Sequence, residues 1–328
     1  MWCSAVLSMA VLLLISPSAY AQTGGARLEK AWTIDRDEKG EYLFLLPSDG
    51  SVDRQGNLLV LDKGRVHIYD AQGDFLSVVD VAEEGLRGEP SDLALDRNGN
   101  LFLCYPNMKL IQGFDRTGNK ICSFTARKGT PMQVAVDSQH NVYLNEVTLE
   151  EEHILYKYDP EGNLITGFGE PREPDPMFVA SDVSEDFREI LSRDGFLGID
   201  DQDNLYFTFR ASYALRKYSS TGKLLWEVMS QEGLLPRAQP KEGVYHPVGD
   251  MDVIPDGYVF VLRVAPGGKG PRVDVWGSDG ERRDTFRSPE QPYFALCVAQ
   301  DRKAIYFIDS SVSRKVDKYV MKASPPAR

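Results

Sequence analysis

The sequence predicts an all-β chain folded as a six-bladed β-propeller of four-stranded antiparallel blades. Three observations carry that expectation. First, one unit recurs six times: a short apolar run and a turn, a second apolar run, an aromatic-ended run and another turn. Its clearest copies are Ser51–Val79 and Ala94–Phe124, followed by Ala135–Phe168, Gly198–Val228 and the weaker Asp252–Phe286 and Cys297–Met321. Second, aligning the first turns makes Asp53, Asp96, Asp137, Asp200, Ile254 and Ala299 equivalent, with spacings of 43, 41, 63, 54 and 45 residues. Blades of this kind run to about 40–45 residues, so the two long steps read as insertions. Third, the last copy stops after its third strand, while Leu28–Asp35 (LEKAWTID) stands alone before the first. Glu29–Ile34 is therefore expected to supply the missing fourth strand and close the ring, which removes exposed sheet edges.

Within each unit, the first strand ends just before the aligned turn. Its central position is Ser51, Ala94, Ala135, Gly198, Asp252 and Cys297, read as a small-residue column where innermost strands crowd the axis. The turn that follows is rich in Asn, Asp and Gly, which tolerate positive φ. The second strand (LLVL, LFLC, VYLN, LYFTF, VFVL, IYFI) is apolar on both faces, as burial between neighbouring blades requires. The third strand ends in an aromatic column of Tyr69, Phe114, Tyr158, Tyr218, Trp276 and Tyr319, expected to pack between blades. A second Gly-bearing turn, as in Gln72-Gly73 and Thr117-Gly118, then leads to the fourth strand.

Met1–Ala21 carries an apolar centre and ends in Ala-Tyr-Ala, the small-x-small pattern of a cleaved leader. The expected organisation is a signal peptide at 1–21, a propeller at 22–322 and a disordered tail at 323–328. That makes the mature protein secreted or periplasmic, with no transmembrane segment and a monomeric state. A net charge of −12 argues against nucleic acid or anionic membrane as partner, since both demand clustered Lys and Arg. Cys104, Cys122 and Cys297 follow the leader; an odd number leaves at least one free thiol. Cys104 and Cys122 fall on the second and fourth strands of one blade, too far apart for a disulfide.

The units Pro47–Leu58 (PSDGSVDRQGNL) and Pro90–Leu101 (PSDLALDRNGNL), with YDAQG, FDRTG and YDPEG later in the repeats, resemble NHL repeats. The chain is similar, over about residues 28–321, to bacterial secreted six-bladed propellers related to NHL proteins. That resemblance implies the fold and a ligand face where the fourth-to-first and second-to-third loops open. The long segments Pro171–Asp194, Gln231–Pro247, Asn145–His153 and Arg263–Pro271 all fall in those loops. Val183–Ser192 within them has the pattern of a short amphipathic helix.

Two residues before the small column lie Asp49, Asp92, Gln133, Phe196, Asp250 and Ala295, at the entrance to the innermost strands. Asp49, Asp92 and Asp250 are candidate oxygen ligands for Ca²⁺ or Mg²⁺, while structural turn contacts are the favoured role. With Gln133 and His246 they form the candidate ligand-binding set. His246 is near Asp250 in sequence, the one such His–carboxylate pair. No catalytic residue is assigned: four His residues in scattered elements do not make a three-His zinc site, and no GxSxG elbow is present. The expected function is non-enzymatic binding or scaffolding of a protein or glycan on the inserted-loop face. The alternative is a lactonase-like, metal-dependent hydrolase or lyase acting at the channel mouth.

Overall fold

The computed structural model describes residues 27–37, 39–81, 86, 88–229, 244, 246–264, 272–287, 295–311 and 313–322. The expected leader and tail, Gln231–Gly243, Tyr245 and most of the 263–271 loop lie outside the described residues. Twenty-four strands form six four-stranded antiparallel sheets. The first strand in the chain, β1 (Arg27–Ile34), belongs to the last blade. Blade 1 contains β2 (Pro47–Val52), β3 (Leu58–Asp62), β4 (Arg65–Tyr69) and β5 (Phe75–Asp80). Blade 2 contains β6 (Asp92–Leu95), β7 (Leu101–Tyr105), β8 (Leu110–Phe114) and β9 (Lys120–Thr125). Blade 3 contains β10 (Thr130–Val136), β11 (Val142–Val147), β12 (Leu155–Tyr158) and β13 (Leu164–Phe168). Blade 4 contains β14 (Gly195–Ile199), β15 (Leu205–Phe209), β16 (Ala214–Tyr218) and β17 (Leu224–Met229). Blade 5 contains β18 (Val248–Val253), β19 (Val259–Arg263), β20 (Arg272–Trp276) and β21 (Arg282–Arg287). Blade 6 contains β22 (Ala295–Val298), β23 (Ala304–Asp309), β24 (Lys315–Lys322) and β1.

The closure is as expected: β1 runs antiparallel to β24, from Arg27 opposite Lys322 to Ile34 opposite Val316. Thr33 donates to Asp317, and Lys30 pairs with the same carboxylate. The ring is thus held shut by backbone pairing and by a buried acid on the penultimate strand.

The turn aspartates account for the strongest part of the repeat. Asp53 Oδ1 accepts the amides of Gln55 and Asn57, and Oδ2 accepts the Asn57 side chain. Asp96, Asp137 and Asp200 repeat this lock on the following Asn100, Asn141 and Asn204. The residue before that Asn sits in the left-handed region, so Gly56 (φ +86°) is free of strain. His140, Asp203 and Arg302 adopt the same conformation without being glycine.

The core consists of clusters between blades. Tyr143, Phe168, Leu197, Phe207 and Tyr218, for example, join blades 3 and 4. The aromatic column takes part as anticipated: Tyr158 is fully buried and Tyr69 is 3% exposed. No helix among the described residues is long and apolar enough to cross a membrane.

Candidate binding face and channel mouth

The innermost strands β2, β6 and β18 bring Asp49, Asp92 and Asp250 to one end of the central channel, where Gln133 of β10 also lines the opening. In the ladders Asp49 lies opposite Leu61, Asp92 opposite Cys104 and Asp250 opposite Leu262. Bulges between Pro47 and Asp49, Pro131 and Gln133, and Val248 and Asp250 re-aim three of these positions.

Each carboxylate reaches the neighbouring blade. Asp49 Oδ2 accepts the Leu93 amide at 2.7 Å, and Asp92 Oδ2 accepts the Val134 amide at 2.7 Å. Asp250 Oδ2 accepts the Leu296 amide at 2.6 Å. These side chains are clasps between consecutive innermost strands: blade 1 to 2, 2 to 3 and 5 to 6. Asp252, read from the sequence as part of the small column, is a fourth clasp, accepting Val298 N–H at 2.7 Å. Blades 3, 4 and 6 present Gln133, Phe196 and Ala295 instead. The Gln133 amide donates to the Met132 carbonyl beside it.

Burial dominates the electrostatics of this ring. It pushes Asp49 up to about 7 against the lowering effect of the Leu93 and Gly50 amides, with Asp252 adding to the rise. Asp252 itself is pushed up to about 6 by burial. Asp92 and Asp250 are raised well above the ordinary carboxylate range, first by burial and then by the charge of Asp49. Asp49 and Asp92 also hydrogen-bond to each other, so the two carboxyl groups titrate as a pair, both raised first by burial. Among the described residues, no three His, Cys, Asp or Glu side chains are grouped to hold a metal ion. Each of Asp49, Asp92 and Asp250 gives one carboxylate oxygen, Oδ2, to a backbone amide of the next blade.

His246 does not join the ring as its nearness to Asp250 in sequence suggested. The charges that act on it are Arg210 and Asp194 of blade 4. Partial burial lowers its pKa, Arg210 lowers it further, and Asp194 opposes both. Arg210 donates to Asp194 Oδ2 at 2.7 Å, and its guanidinium stacks 4.3 Å from the centre of the Phe196 ring. Asp194 Oδ1, Asn145 Oδ1 and Thr208 Oγ1 are buried without a hydrogen-bond partner. The sequence pointed to none of these three, since each lies in a segment that otherwise reads as strand or insertion.

The insertion after β13 and the 145–153 loop are built structures. The segment after β13 contains helix α1 (Glu185–Leu191), where the amphipathic pattern placed one, with Ser184 capping it by accepting the Phe187 amide. Val179, Leu191 and Ala211 form a small core of their own, with Val183 and Val244 against it. Arg193 ties the helix to the 145–153 loop, donating to the Glu151 carbonyl and to Glu189 Oε1. Lys128 meets Glu151 from the other side at 2.9 Å. Loop anchoring also uses Asp62, which accepts the Leu45 and Leu46 amides, and Glu146, which accepts those of Lys128 and Gly129.

At the opposite end of the channel, turns from different blades meet. Arg54 and Arg97 both reach Asp201, and Arg97 and Ser138 both reach Asp203. This end is latched by arginine–carboxylate pairs joining blades 1 and 2 to blade 4, and by the Ser138 hydroxyl of blade 3.

Cys104, Cys122 and Cys297 are all free thiols, and Cys104 and Cys122 stay unpaired as their strand spacing requires; Cys122 is only partly buried.

No family model matches the chain, and no curated protein matches it. Solved structures do share the fold. A gluconolactonase from Xanthomonas campestris aligns with a TM-score of 0.57 at 14% identity, covering 91% of each chain. A chain of the mitotic checkpoint complex aligns with a TM-score of 0.57 at 8% identity, covering 97% of this chain and 98% of that one. At such identities the likeness is one of fold, and enzyme and assembly component appear side by side on it.

Proposed function

We propose that this chain is an exported, non-catalytic propeller that binds a protein or glycan partner on its inserted-loop face. The observation that supports this reading most is the rim itself. The 169–194 insertion carries its own apolar core and is tied to the 145–153 loop, yet leaves Phe187 44% and Leu149 46% exposed. A propeller needs none of this to close its ring, and ordered insertions on a rigid scaffold are where binding is commonly grafted. The mouth carboxylates, by contrast, are committed to holding blades together.

A lactonase-like, metal-dependent hydrolase at the mouth is the second reading. It draws on the gluconolactonase likeness and on the buried carboxyl groups of Asp49, Asp92 and Asp250 that line the mouth. The two readings separate in one experiment on purified protein: metal content, together with partner capture by wild type and by Phe187→Ser. Metal-free protein whose capture of a partner depends on Phe187 supports the binding module. Stoichiometric divalent metal, with capture indifferent to Phe187, overturns it.

A further inference from the structure

One row of side chains recurs on the face that a blade turns toward the next. In blade 4 it runs Tyr206, Lys217, Trp226 across β15, β16 and β17. In blade 6 it runs Tyr306, Lys318, Trp32 across β23, β24 and β1. Both blades fill the groove with an ammonium and an indole. Lys217 Nζ and Trp226 Nε1 each donate at 3.1 Å to the Ser278 carbonyl of blade 5, and Lys217 lies 5.0 Å from the centre of the Tyr206 ring. Lys318 donates to the Ala71 carbonyl of blade 1 and lies 5.4 Å from the centre of the Tyr306 ring. Blade 3 keeps the ammonium alone, with Lys157 donating at 3.3 Å to the Ser220 carbonyl and Thr166 in the place of the Trp. Blade 2 keeps neither: its row reads Phe102, Gly113, Cys122. Cys122 Sγ and the Phe102 ring take the space directly above Gly113. Beside them a cavity of about 310 Å³ opens between blades 2 and 3, walled also by Ile121, His140 and Pro160. Pro160 stands two residues before Gly162, as Ser278 stands before Gly280, and Gly113 offers its carbonyl no donor.

We propose that this cavity binds a small aromatic ammonium compound, an indole-sized ring with an alkylammonium arm, in the place that Trp226 and Lys217 fill in blade 4. The ring packs on Phe102, Ile121 and Pro160. The ammonium lies near the Phe102 ring and donates to the Pro160 carbonyl, as the lysines of blades 3, 4 and 6 do at their own turns. The local field suits a cation. Buried Asp96 stands behind His140, with Oδ2 3.1 Å from Nδ1, where Asp137 and Asp200 hold Lys157 and Lys217 at 3.2 and 3.6 Å. The volume lies at the lower end of the range of about 300–1,000 Å³ common to small-molecule pockets. Its walls are paired strands and a locked turn, so little freedom is lost on binding. The site is separate from the inserted-loop rim and does not depend on the partner proposed there.

The test titrates tryptamine into the purified protein by calorimetry, with indole and hexylamine as probes that each carry half of the chemistry. The expected result is one tryptamine per chain, and at least tenfold weaker binding of either half. Cys122→Trp supplies the missing indole from the chain itself and should abolish binding. Ser77→Trp, at the matching place in blade 1, should leave it within twofold of wild type. Circular dichroism and melting curves verify that both variants are folded. A second measurement needs no variant: saturating tryptamine should slow alkylation of Cys122 by iodoacetamide at least fivefold, read by mass spectrometry. That measurement decides the matter if Cys122→Trp does not fold. No binding of tryptamine, binding that survives in folded Cys122→Trp, or an alkylation rate that tryptamine leaves unchanged overturns the proposal. Hexylamine binding as tightly as tryptamine would reduce the effect to attraction of any cation by a chain of charge −12 and would overturn it too. Indole binding as tightly as tryptamine would overturn the ammonium assignment.

Discussion

The Asp49 carboxylate accepts the Leu93 amide at 2.7 Å, so a side chain from the innermost strand of blade 1 holds the innermost strand of blade 2. The same relation between Asp92 and Val134, and between Asp250 and Leu296, makes the acidic mouth a structural seam. The price of that seam is buried carboxyl groups, and its consequences can be measured.

One consequence is a dependence on pH. Burial raises Asp49 to about 7 and Asp252 to about 6, above the ordinary aspartate value of 3.8. The folded state therefore holds these protons more tightly than the unfolded chain. Their contribution to stability is fully present below about pH 4 and is lost as pH rises through about 6 to 7. Asp49→Asn, which keeps an acceptor for Leu93 and cannot ionise, should match wild type below about pH 4 and gain Tm relative to it by pH 8.5. Melting curves across that range check this; a difference independent of pH would contradict it.

Ring closure by β1 gives a second expectation. Deleting residues 27–36 removes the antiparallel pairing with β24 and leaves the buried Asp317 without Thr33 and Lys30. The deletion should lower Tm sharply or abolish a cooperative melt. An unchanged melt would contradict the closure.

Buried polar networks behave differently from surface pairs. Asp274 is fully buried, accepts hydrogen bonds from Tyr213 at 2.6 Å and Thr285 at 2.7 Å, and forms an ion pair with Arg263 at 2.8 Å. Removing one partner of such a pair strands a desolvated charge, so Arg263→Ala should cost about 3–5 kcal/mol. Surface pairs such as Arg283–Glu281, where Glu281 is 75% exposed, should cost less than about 1 kcal/mol when broken. Chemical denaturation of the two variants reads the contrast.

Close approach at the mouth gives a fourth expectation. A Cβ built on Gly195 would lie 2.2 Å from the Thr208 carbonyl and 2.4 Å from the Phe207 ring. Backbone on the paired strand cannot move aside without breaking the β14–β15 ladder, so Gly195→Ala should destabilise by about 1–3 kcal/mol. By comparison, Gly56→Ala meets nothing within 4 Å and suffers only from its positive φ. Denaturant midpoints of the two variants separate crowding from conformational strain.

Much of the fold was legible because its determinants are local and repeated. Asp53, Asp96, Asp137 and Asp200 each lock a turn within four residues, so spacing alone places the blades. The closing strand was legible through what the sixth unit lacked. The site was less so. The mouth positions follow from register, but Asp252 reads as a member of the small-residue column, although its carboxylate reaches Val298, 46 residues away. Proximity in sequence pairs His246 with Asp250, whereas the charges that act on it are Arg210 and Asp194 of blade 4. Contacts of that range depend on how blades sit side by side, and no local pattern encodes them.

The most direct test of the central claim, that the mouth carboxylates are clasps and function lies on the rim, is the melting temperature of purified protein with excess Ca²⁺ or Mg²⁺ and with chelator. The account predicts metal-free protein, the same Tm in all three conditions, and a loss of stability in Asp92→Ala that no added cation restores. A stoichiometric cation that raises Tm in wild type, and fails to do so in Asp92→Asn and Asp250→Asn, would contradict it.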